Sequence, residues 1–293
     1  MLTDILPLWA FFALLAVLTK TGFYAYQKKL LSTHSSLLLG YISSIAGTLF
    51  FVPIAIWDVT THGLSLTSVE IAILLGIGVT ELVAFSVYLR ALQLTDISIA
   101  SPLKRMKPMF VAVFEPLVFG IAFVPLIGVA ATFAGIGGYI VLMKGTDLLT
   151  PFRRIRETGP KLAFIAALLY GVLSLGSRYG TTTTSPYVFG AIIFSIMTIG
   201  YITILAQQRQ IPALRDHFTK GFAIIGVLGI LRSLFVWIAY SMAAASLVVA
   251  VTQLTVLTDI LVGGVLLKED GLVKRILGGG MILAGVYIVL YLI

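Results

Sequence analysis

The sequence predicts an all-α integral membrane protein with ten transmembrane helices, arranged as two inverted repeats of five helices each. Three observations predict this fold class: the composition, a series of ten long apolar segments, and a sequence repeat that covers much of both halves. The chain has 293 residues, of which 59% are hydrophobic and only 11% are charged. Because a soluble globular protein is typically about one quarter charged, the composition excludes that class.

Ten apolar segments, numbered here as spans 1 to 10, approach the roughly 20 residues that a helix needs to cross a bilayer. Polar residues, glycine or proline separate them. No basic residue precedes span 1 and no small-residue cleavage site follows it, so we expect a mature span there rather than a signal peptide. The predicted spans are Leu8 to Tyr26, Ser36 to Trp57, Ile71 to Leu89, Ile99 to Phe119, Pro125 to Met143, Lys161 to Tyr179, Pro186 to Leu205, Gly221 to Tyr240, Leu247 to Leu267 and Leu272 to Leu292.

A sequence repeat relates the two halves of the chain. At an offset of 148 residues, Ile77 to Leu142 aligns without a gap with Ile225 to Leu290. Closer to the N-terminus the offset becomes 150 residues, which pairs Ser35 with Ser185. We therefore predict a first repeat at residues 1–148 and a second at 149–293, together forming one transmembrane domain. Since five spans are an odd number, the second repeat starts from the opposite side of the membrane, an inverted plan that places a substrate site at the midplane and suits alternating access.

The distribution of lysine and arginine predicts the orientation. Fourteen of the 20 Lys and Arg residues follow odd-numbered spans, and the other six lie within spans or at their ends. Because cytoplasmic loops are rich in Lys and Arg, we expect a multi-pass protein of the cell membrane with both termini outside the cytoplasm. The net charge of +8 is explained in the same way, so we expect no nucleic-acid partner.

Two segments carry a family resemblance. They are Ala91 to Gly120, reading ALQLTDISIASPLKRMKPMFVAVFEPLVFG, and Ala239 to Glu269, reading AYSMAAASLVVAVTQLTVLTDILVGGVLLKE. With the glycine-rich last span, they resemble the drug/metabolite transporter superfamily, and in particular its EamA-like members. The resemblance implies a duplicated ten-helix plan and a secondary transporter.

The stretch Ile97 to Phe114 is also similar to a helix of the triose-phosphate and nucleotide-sugar translocator branch of that superfamily. The resemblance places Lys104 on the lysine that binds the substrate anion in that branch. Lys107 stands where that branch has a glutamate, and Thr255 to Leu257 stand where it has a Lys-Arg pair.

Ionisable residues inside spans point to the substrate site, because each costs roughly 2.5–3.5 kcal/mol to insert at a helix centre and needs a partner or a watered interior. Lys20 shares a helical face with Tyr24 and Gln27, and Lys104 shares one with Glu115. Each lysine has an alternative interpretation as an anchor that reaches the membrane surface, and each aromatic residue one as packing. The candidate substrate-binding residues are Lys20, Tyr24, Tyr88, Lys104, Arg232, Trp237 and Tyr240.

Three carboxylates within spans, Glu81, Glu115 and Asp259, are the candidates for coupling to protons. Asp259 is the first choice, because Thr252 and Thr255 share its predicted face and because a desolvated carboxyl can titrate during transport. Its alternative is a hydrogen-bonded neutral acid that only packs. Arg232 is predicted at a depth similar to that of Glu81, so the two could form a structural ion pair or a pair that opens when substrate binds.

These patterns together predict a secondary transporter for a small anionic or zwitterionic organic metabolite, such as an amino acid, a carboxylate or a phosphorylated compound. A channel or a structural membrane subunit is the alternative, and an intramembrane enzyme comes third, since the sequence has no metal-binding or nucleophile motif. We expect no cofactor and no metal site. The expected partners are the small-molecule substrate and membrane lipid, and small residues in spans 5 and 10 leave a homodimer open.

Overall fold

A computed structural model describes residues 7–95, 100, 103–104, 106–120, 125–142, 156–209, 219–255 and 272–291. Every long regular element in these residues is an α-helix. The helices, numbered in chain order, are α1 (Leu8–Leu31), α2 (Ser36–His62), α3 (Ser68–Leu94), α4 (Lys107–Phe119), α5 (Pro125–Leu142), α6 (Thr158–Thr183), α7 (Pro186–Gln207), α8 (Lys220–Met242), α9 (Ala245–Thr252) and α10 (Leu272–Tyr291).

Six of these helices, within the described ranges, are long and apolar enough to cross a membrane: α1, α2, α3, α6, α7 and α8. They are 22 to 27 residues long, so at 1.5 Å per residue each reaches about 33–40 Å, enough for the roughly 30 Å hydrocarbon core. The chain is therefore a multi-pass membrane protein, and the long regular elements of its described residues are α-helices.

Local sequence signals explain where several helices begin. Ser35 caps α2 by accepting the Leu38 N–H at 3.2 Å, and Ser185 caps α7 by accepting the Val188 N–H at 3.1 Å. Thr67 and Glu70 form a reciprocal capping box at the start of α3. The two serine caps occupy the positions that the 150-residue offset relates, so the same local chemistry starts the second helix of each predicted repeat.

The described residues divide into two compact units. The first comprises Met1–Leu89 and Gly176–Met242, and the second comprises Arg90–Leu175 and Ala243–Ile293. Each unit therefore combines helices from both halves of the sequence, so the predicted repeats are not themselves the compact units.

In the first unit, α2 packs against α7 through contacts that repeat under the 150-residue offset. A Cβ atom on Gly40 would overlap the ring of Tyr201, and one on Gly190 would lie 2.5 Å from the ring of Phe51. Gly40 is related to Gly190 by the offset, and Phe51 to Tyr201. Between these contacts, the hydroxyls of the equivalent residues Thr48 and Thr198 lie 2.9 Å apart. Because early residues of α2 meet late residues of α7 and the reverse, the two equivalent helices run antiparallel.

The first unit also pairs α1 with α8. Gly22 approaches Leu228, Phe23 approaches Gly229, and Leu30 approaches Gly221. Residues 22–23 of α1 therefore contact residues 228–229 of α8, whereas the later Leu30 contacts the earlier Gly221. These two helices are antiparallel as well. Small residues at the contacts allow the close approach that packing within a membrane favours.

In the second unit, α5 packs against α10, and α4 packs against both α5 and α9. Met109 of α4 fills the space beside Gly135 of α5, where a Cβ atom would lie 2.6 Å from its sulfur. A small apolar cluster joins the end of α3 to the start of α6; its buried members are Ala91, Ala100, Leu103 and Ala163.

Two predicted spans are interrupted, and here the sequence prediction of continuous helices was wrong. Span 4 was predicted as one helix, but Met106 lies in a turn and α4 starts only at Lys107. Proline explains the position, because Pro108 at the helix start has no N–H to donate to a carbonyl one turn earlier. Span 9 was also predicted as continuous, but α9 ends at Thr252 and a turn follows at 253–254. The two turns lie at equivalent positions of the sequence repeat, because the 148-residue offset relates Met106 to residue 254.

Candidate functional site

A small cavity in the first unit brings together several of the predicted residues. Glu81 of α3 and Arg232 and Trp237 of α8 line it, together with Phe23 and Ser43. Its volume is about 20 Å³, enough for a water molecule and too small for a metabolite. The sequence prediction that Glu81 and Arg232 occupy comparable depth agrees with their place on this common wall, while the ion pair itself stays a prediction.

Two polar atoms at this cavity lack hydrogen-bond partners. They are Nε of Arg232 and Oγ of Ser43, and both are buried. The guanidinium carbon of Arg232 lies 4.2 Å from the centre of the Phe23 ring, a distance typical of a cation–π contact. An ordered water in the cavity would satisfy such atoms at low cost.

Trp237 packs within an aromatic cluster in addition to lining the cavity. Its ring centre lies 5.5 Å from that of Phe51, 5.3 Å from that of Phe189 and 5.8 Å from that of Phe194. All three contacts are edge-on, the arrangement that aromatic pairs favour. Packing, the alternative interpretation from the sequence, therefore accounts for much of the surface of Trp237. Tyr240, one turn further along α8, is buried as well.

On α1, the predicted stripe of Lys20, Tyr24 and Gln27 meets an aromatic residue from α3. The rings of Tyr24 and Tyr88 are edge-to-face with centres 6.5 Å apart, and Tyr88 is buried. Lys20 is partly buried. The structure thus brings together Tyr24 and Tyr88, which the sequence analysis had nominated separately.

In the second unit, Lys104 lies two residues before the turn that interrupts span 4. Its Nζ atom is 4.5 Å from the centre of the Tyr170 ring of α6, so an aromatic face stabilises the ammonium group. The sequence analysis did not identify Tyr170, because no periodicity within span 4 could point to a ring on another helix. Lys20 belongs to the first unit and Lys104 to the second, so their joint binding of one anion stays a prediction.

Glu115 has a clear structural partner, which is the start of α9. Its Oε1 accepts the N–H of Ala245 at 2.7 Å, and its Oε2 accepts the N–H of Ser246 at 3.0 Å. The Glu115 side chain is only 1% exposed. No side chain of α9 caps its own first turn, so Glu115 supplies both the acceptors and the negative charge that a helix N-terminus favours.

The other coupling candidates are placed differently. Asp259 lies outside the described residues. The hydroxyl of Thr252 donates to the carbonyl of Val249 at 2.9 Å, and that of Thr255 donates to the carbonyl of Thr252 at 2.7 Å. The turn at 253–254 separates these two threonines, so the helix is not continuous between them, and the face that they were predicted to share with Asp259 stays a prediction.

A histidine, an aspartate and a serine also meet, at the end of α2 and the start of α7. Nδ1 of His62 lies 2.9 Å from Oδ1 of Asp58, and the Ser185 hydroxyl donates to Oδ2 of Asp58 at 2.5 Å. Nucleophilic catalysis of the triad type needs the imidazole between the serine and the carboxylate. Here the carboxylate is in the middle, so the arrangement fastens α2 to α7 instead of activating the serine. The sequence analysis did not predict this contact.

The EamA-like transporter family matches residues 7–143 and, a second time, residues 158–291. The chain belongs to this family. A search of curated proteins finds no significant match. One solved crystal structure is similar over 97% of this chain and 96% of its own, with a TM-score of 0.68 and 14% sequence identity, a likeness that concerns the fold alone.

Family membership confirms the resemblance that the sequence indicated, to the drug/metabolite transporters and their EamA-like branch. Because the family is one of membrane transporters, membership identifies this chain as a membrane transporter. The two matched ranges correspond to the two sequence repeats, and their helices enter both compact units.

Proposed function

We propose that the protein is a secondary transporter, which carries a small anionic or zwitterionic organic metabolite by alternating access between two inverted five-helix repeats. The observation that carries this proposal is the set of paired contacts between α2 and α7. Gly40 meets Tyr201 as Gly190 meets Phe51, and the hydroxyls of Thr48 and Thr198 meet between them.

In a two-fold arrangement of two copies, if residue i of the first copy contacts residue j of the second, then residue j of the first contacts residue i of the second. The contacts between α2 and α7 follow this rule. Because α2 and α7 are equivalent in sequence and run antiparallel, the two-fold axis lies across the helices. Such an axis lies in the plane of the membrane, the arrangement of inverted repeats in secondary transporters. The proposed ten transmembrane helices follow from completing spans 4, 5, 9 and 10 in the same plan.

The interrupted spans 4 and 9 support the proposal independently. Substrate sites of inverted-repeat transporters are typically formed by discontinuous helices at equivalent positions of both repeats. The turn at Met106 and the turn at 253–254 are such a pair. Lys104 stands beside the first turn, and with Lys20 it is our proposed source of positive charge for the substrate anion.

The remaining expectations belong to the same proposal. Metabolite and surrounding lipid are the proposed partners, a homodimer is left open, and neither nucleic acid nor a cofactor has a role. Both termini face away from the cytoplasm, as the positions of lysine and arginine indicate. Transport, without catalysis, is the proposed activity.

Purified protein reconstituted into liposomes tests the proposal. Vesicles loaded with unlabelled metabolites should accumulate the labelled form of the true substrate by exchange, with saturation. A thermal-shift screen against metabolite classes selects the candidates, since a ligand present at 100 times its dissociation constant stabilises a protein by about 2.7 kcal/mol. Ion conductance without saturable exchange would support the alternative, a channel, and would contradict alternating access.

A further inference from the structure

Gln27 of α1 is among the most deeply buried side chains of the first unit, yet its amide makes no hydrogen bond. It is 1% exposed, and neither Oε1 nor Nε2 has a partner. Exchanging the two amide atoms would not change this, because both lack a partner. Other fully buried polar side chains do bond: Ser44 donates to the Tyr41 carbonyl and Glu115 accepts two backbone N–H groups. A buried polar atom without a partner is costly, so such an amide indicates a bound polar group.

The surroundings of Gln27 place it in the candidate site. Tyr24 and Lys20 precede it by three and seven residues, so all three share one face of α1. Tyr24 also contacts the ring of Tyr88, edge to face. A polar group bound at Gln27 would therefore have aromatic surface within one helical turn and a lysine on the same face.

The chemistry of an amide restricts what can bind there. A glutamine side chain donates through Nε2 and accepts through Oε1. A fully ionised phosphate monoester or a dicarboxylate offers acceptors only, so it would satisfy Nε2 and leave the buried Oε1 without a donor. The head group of an α-amino acid satisfies both atoms, because its carboxylate accepts from Nε2 and its ammonium group donates to Oε1. Aromatic rings nearby also suit an ammonium group.

We propose that Gln27 is a substrate-binding residue that selects solutes carrying an N–H donor beside an oxygen acceptor, and that the solute is an α-amino acid. This inference rests on the proposed transport function and narrows its substrate class. Among the three classes that the charge pattern left open, it favours the zwitterion over simple carboxylates and phosphorylated compounds.

The test measures the binding of matched probes to the purified full chain. The probes are the individual L-amino acids, the carboxylic acid that remains when the amino group of each is removed, and inorganic phosphate. Thermal shift selects the binders and titration calorimetry gives the dissociation constants. Gln27→Met keeps the length of the side chain and removes both polar atoms. Gln207→Met, at an exposed position near the end of α7, is the matched control.

We expect the parent protein to bind at least one amino acid about tenfold or more tightly than the matched acid, since one hydrogen bond in a buried site is worth about that factor. Gln27→Met should reduce this preference to less than about twofold, whereas Gln207→Met should keep it. If Gln27→Met does not purify, Gln27→Leu provides the same comparison, because it also lacks both polar atoms and should also lose the preference.

The inference is overturned if no amino acid binds, or if the preference survives in Gln27→Met. A more stable Gln27→Met with unchanged affinities would mean that the amide binds only water, and would overturn it too. Liposome transport separates the two proposals. If both parent and Gln27→Met exchange a phosphate or dicarboxylate equally, transport stands and the role of Gln27 is wrong, whereas a parent that exchanges no solute contradicts the proposed function itself.

Discussion

Replacing Glu115 by glutamine tests the contact that joins α4 to α9. In the parent protein, each carboxylate oxygen accepts one backbone N–H, from Ala245 and from Ser246. Glutamine has nearly the same shape but only one acceptor oxygen. Its NH₂ group would face a buried N–H, so two donors would meet where a donor and an acceptor met before.

The expected loss of stability follows from these contacts. One buried N–H without an acceptor costs about 1–3 kcal/mol, and loss of the negative charge at the start of α9 adds roughly 0.3–1 kcal/mol. The Glu115→Gln variant should therefore be less stable than the parent by about 1–4 kcal/mol. At roughly 2–4 °C per kcal/mol for a chain of this order of size, the unfolding temperature should fall by several degrees.

Thermal unfolding of the purified protein in detergent, followed by tryptophan fluorescence at a fixed scan rate, measures this change. Glu157→Gln is the control, because Glu157 also precedes the first turns of a helix, α6, but is exposed. It loses a charge at a helix start but no buried hydrogen bond, so it should lose no more than roughly 0.3–1 kcal/mol. Amide hydrogen exchange at Ala245 and Ser246 should be faster only in Glu115→Gln. If Glu115→Gln unfolds with the parent and protects both amides equally, Glu115 does not hold the start of α9.

Four further predictions follow. A C-terminal reporter that fluoresces only in the cytoplasm should stay dark, and bright cells would reverse the orientation. Lys104→Gln and Lys20→Gln should each weaken metabolite binding in calorimetry while the protein still inserts, and unchanged uptake in both would contradict the anion site. Asp259→Asn should abolish accumulation driven by a pH gradient but spare exchange at equilibrium, because the amide cannot release a proton; unchanged accumulation would exclude Asp259. Gly190→Ala should destabilise the protein by about 1–3 kcal/mol, since its Cβ overlaps a buried ring, whereas Gly76→Ala, with open space around it, should not.

Helix starts with a local chemical cause were predictable from the sequence. Span 2 was predicted to start at Ser36, span 5 at Pro125 and span 7 at Pro186, and the helices begin at those residues. A serine cap or a proline in the first turn acts over a few residues, so the sequence alone contains the signal. Helix ends were less accurate: α2 continues to His62, five residues beyond the predicted Trp57, because Gly63, with a φ of 75°, terminates it rather than a change in hydropathy.

The interruptions of spans 4 and 9 were not predictable from hydropathy, because Thr252, Gln253 and Thr255 at the second turn are uncharged and compatible with a continuous span. Pro108 was a signal for the first turn, and the repeat offset would then have pointed to residue 254. The partner of Glu115 had no sequence signal at all, since it is a pair of backbone N–H groups that any residue provides. Likewise, helical spacing placed Gln27 on the face of Lys20, but only the structure shows that its amide is buried and makes no bond.

The paired contacts between α2 and α7 also bear on how such a protein can change through evolution. In a dimer of two identical subunits, every substitution at a two-fold contact appears twice, so both ends of the contact must change together. Fusion into one polypeptide removes this constraint. Asp58 illustrates the freedom gained: it accepts a hydrogen bond from Ser185 at one end of the α2–α7 pair, while the residue related to Asp58 by the 150-residue offset is the uncharged Gln208. A difference of only about 1.4 kcal/mol between the two ends would favour one direction of opening tenfold at rest.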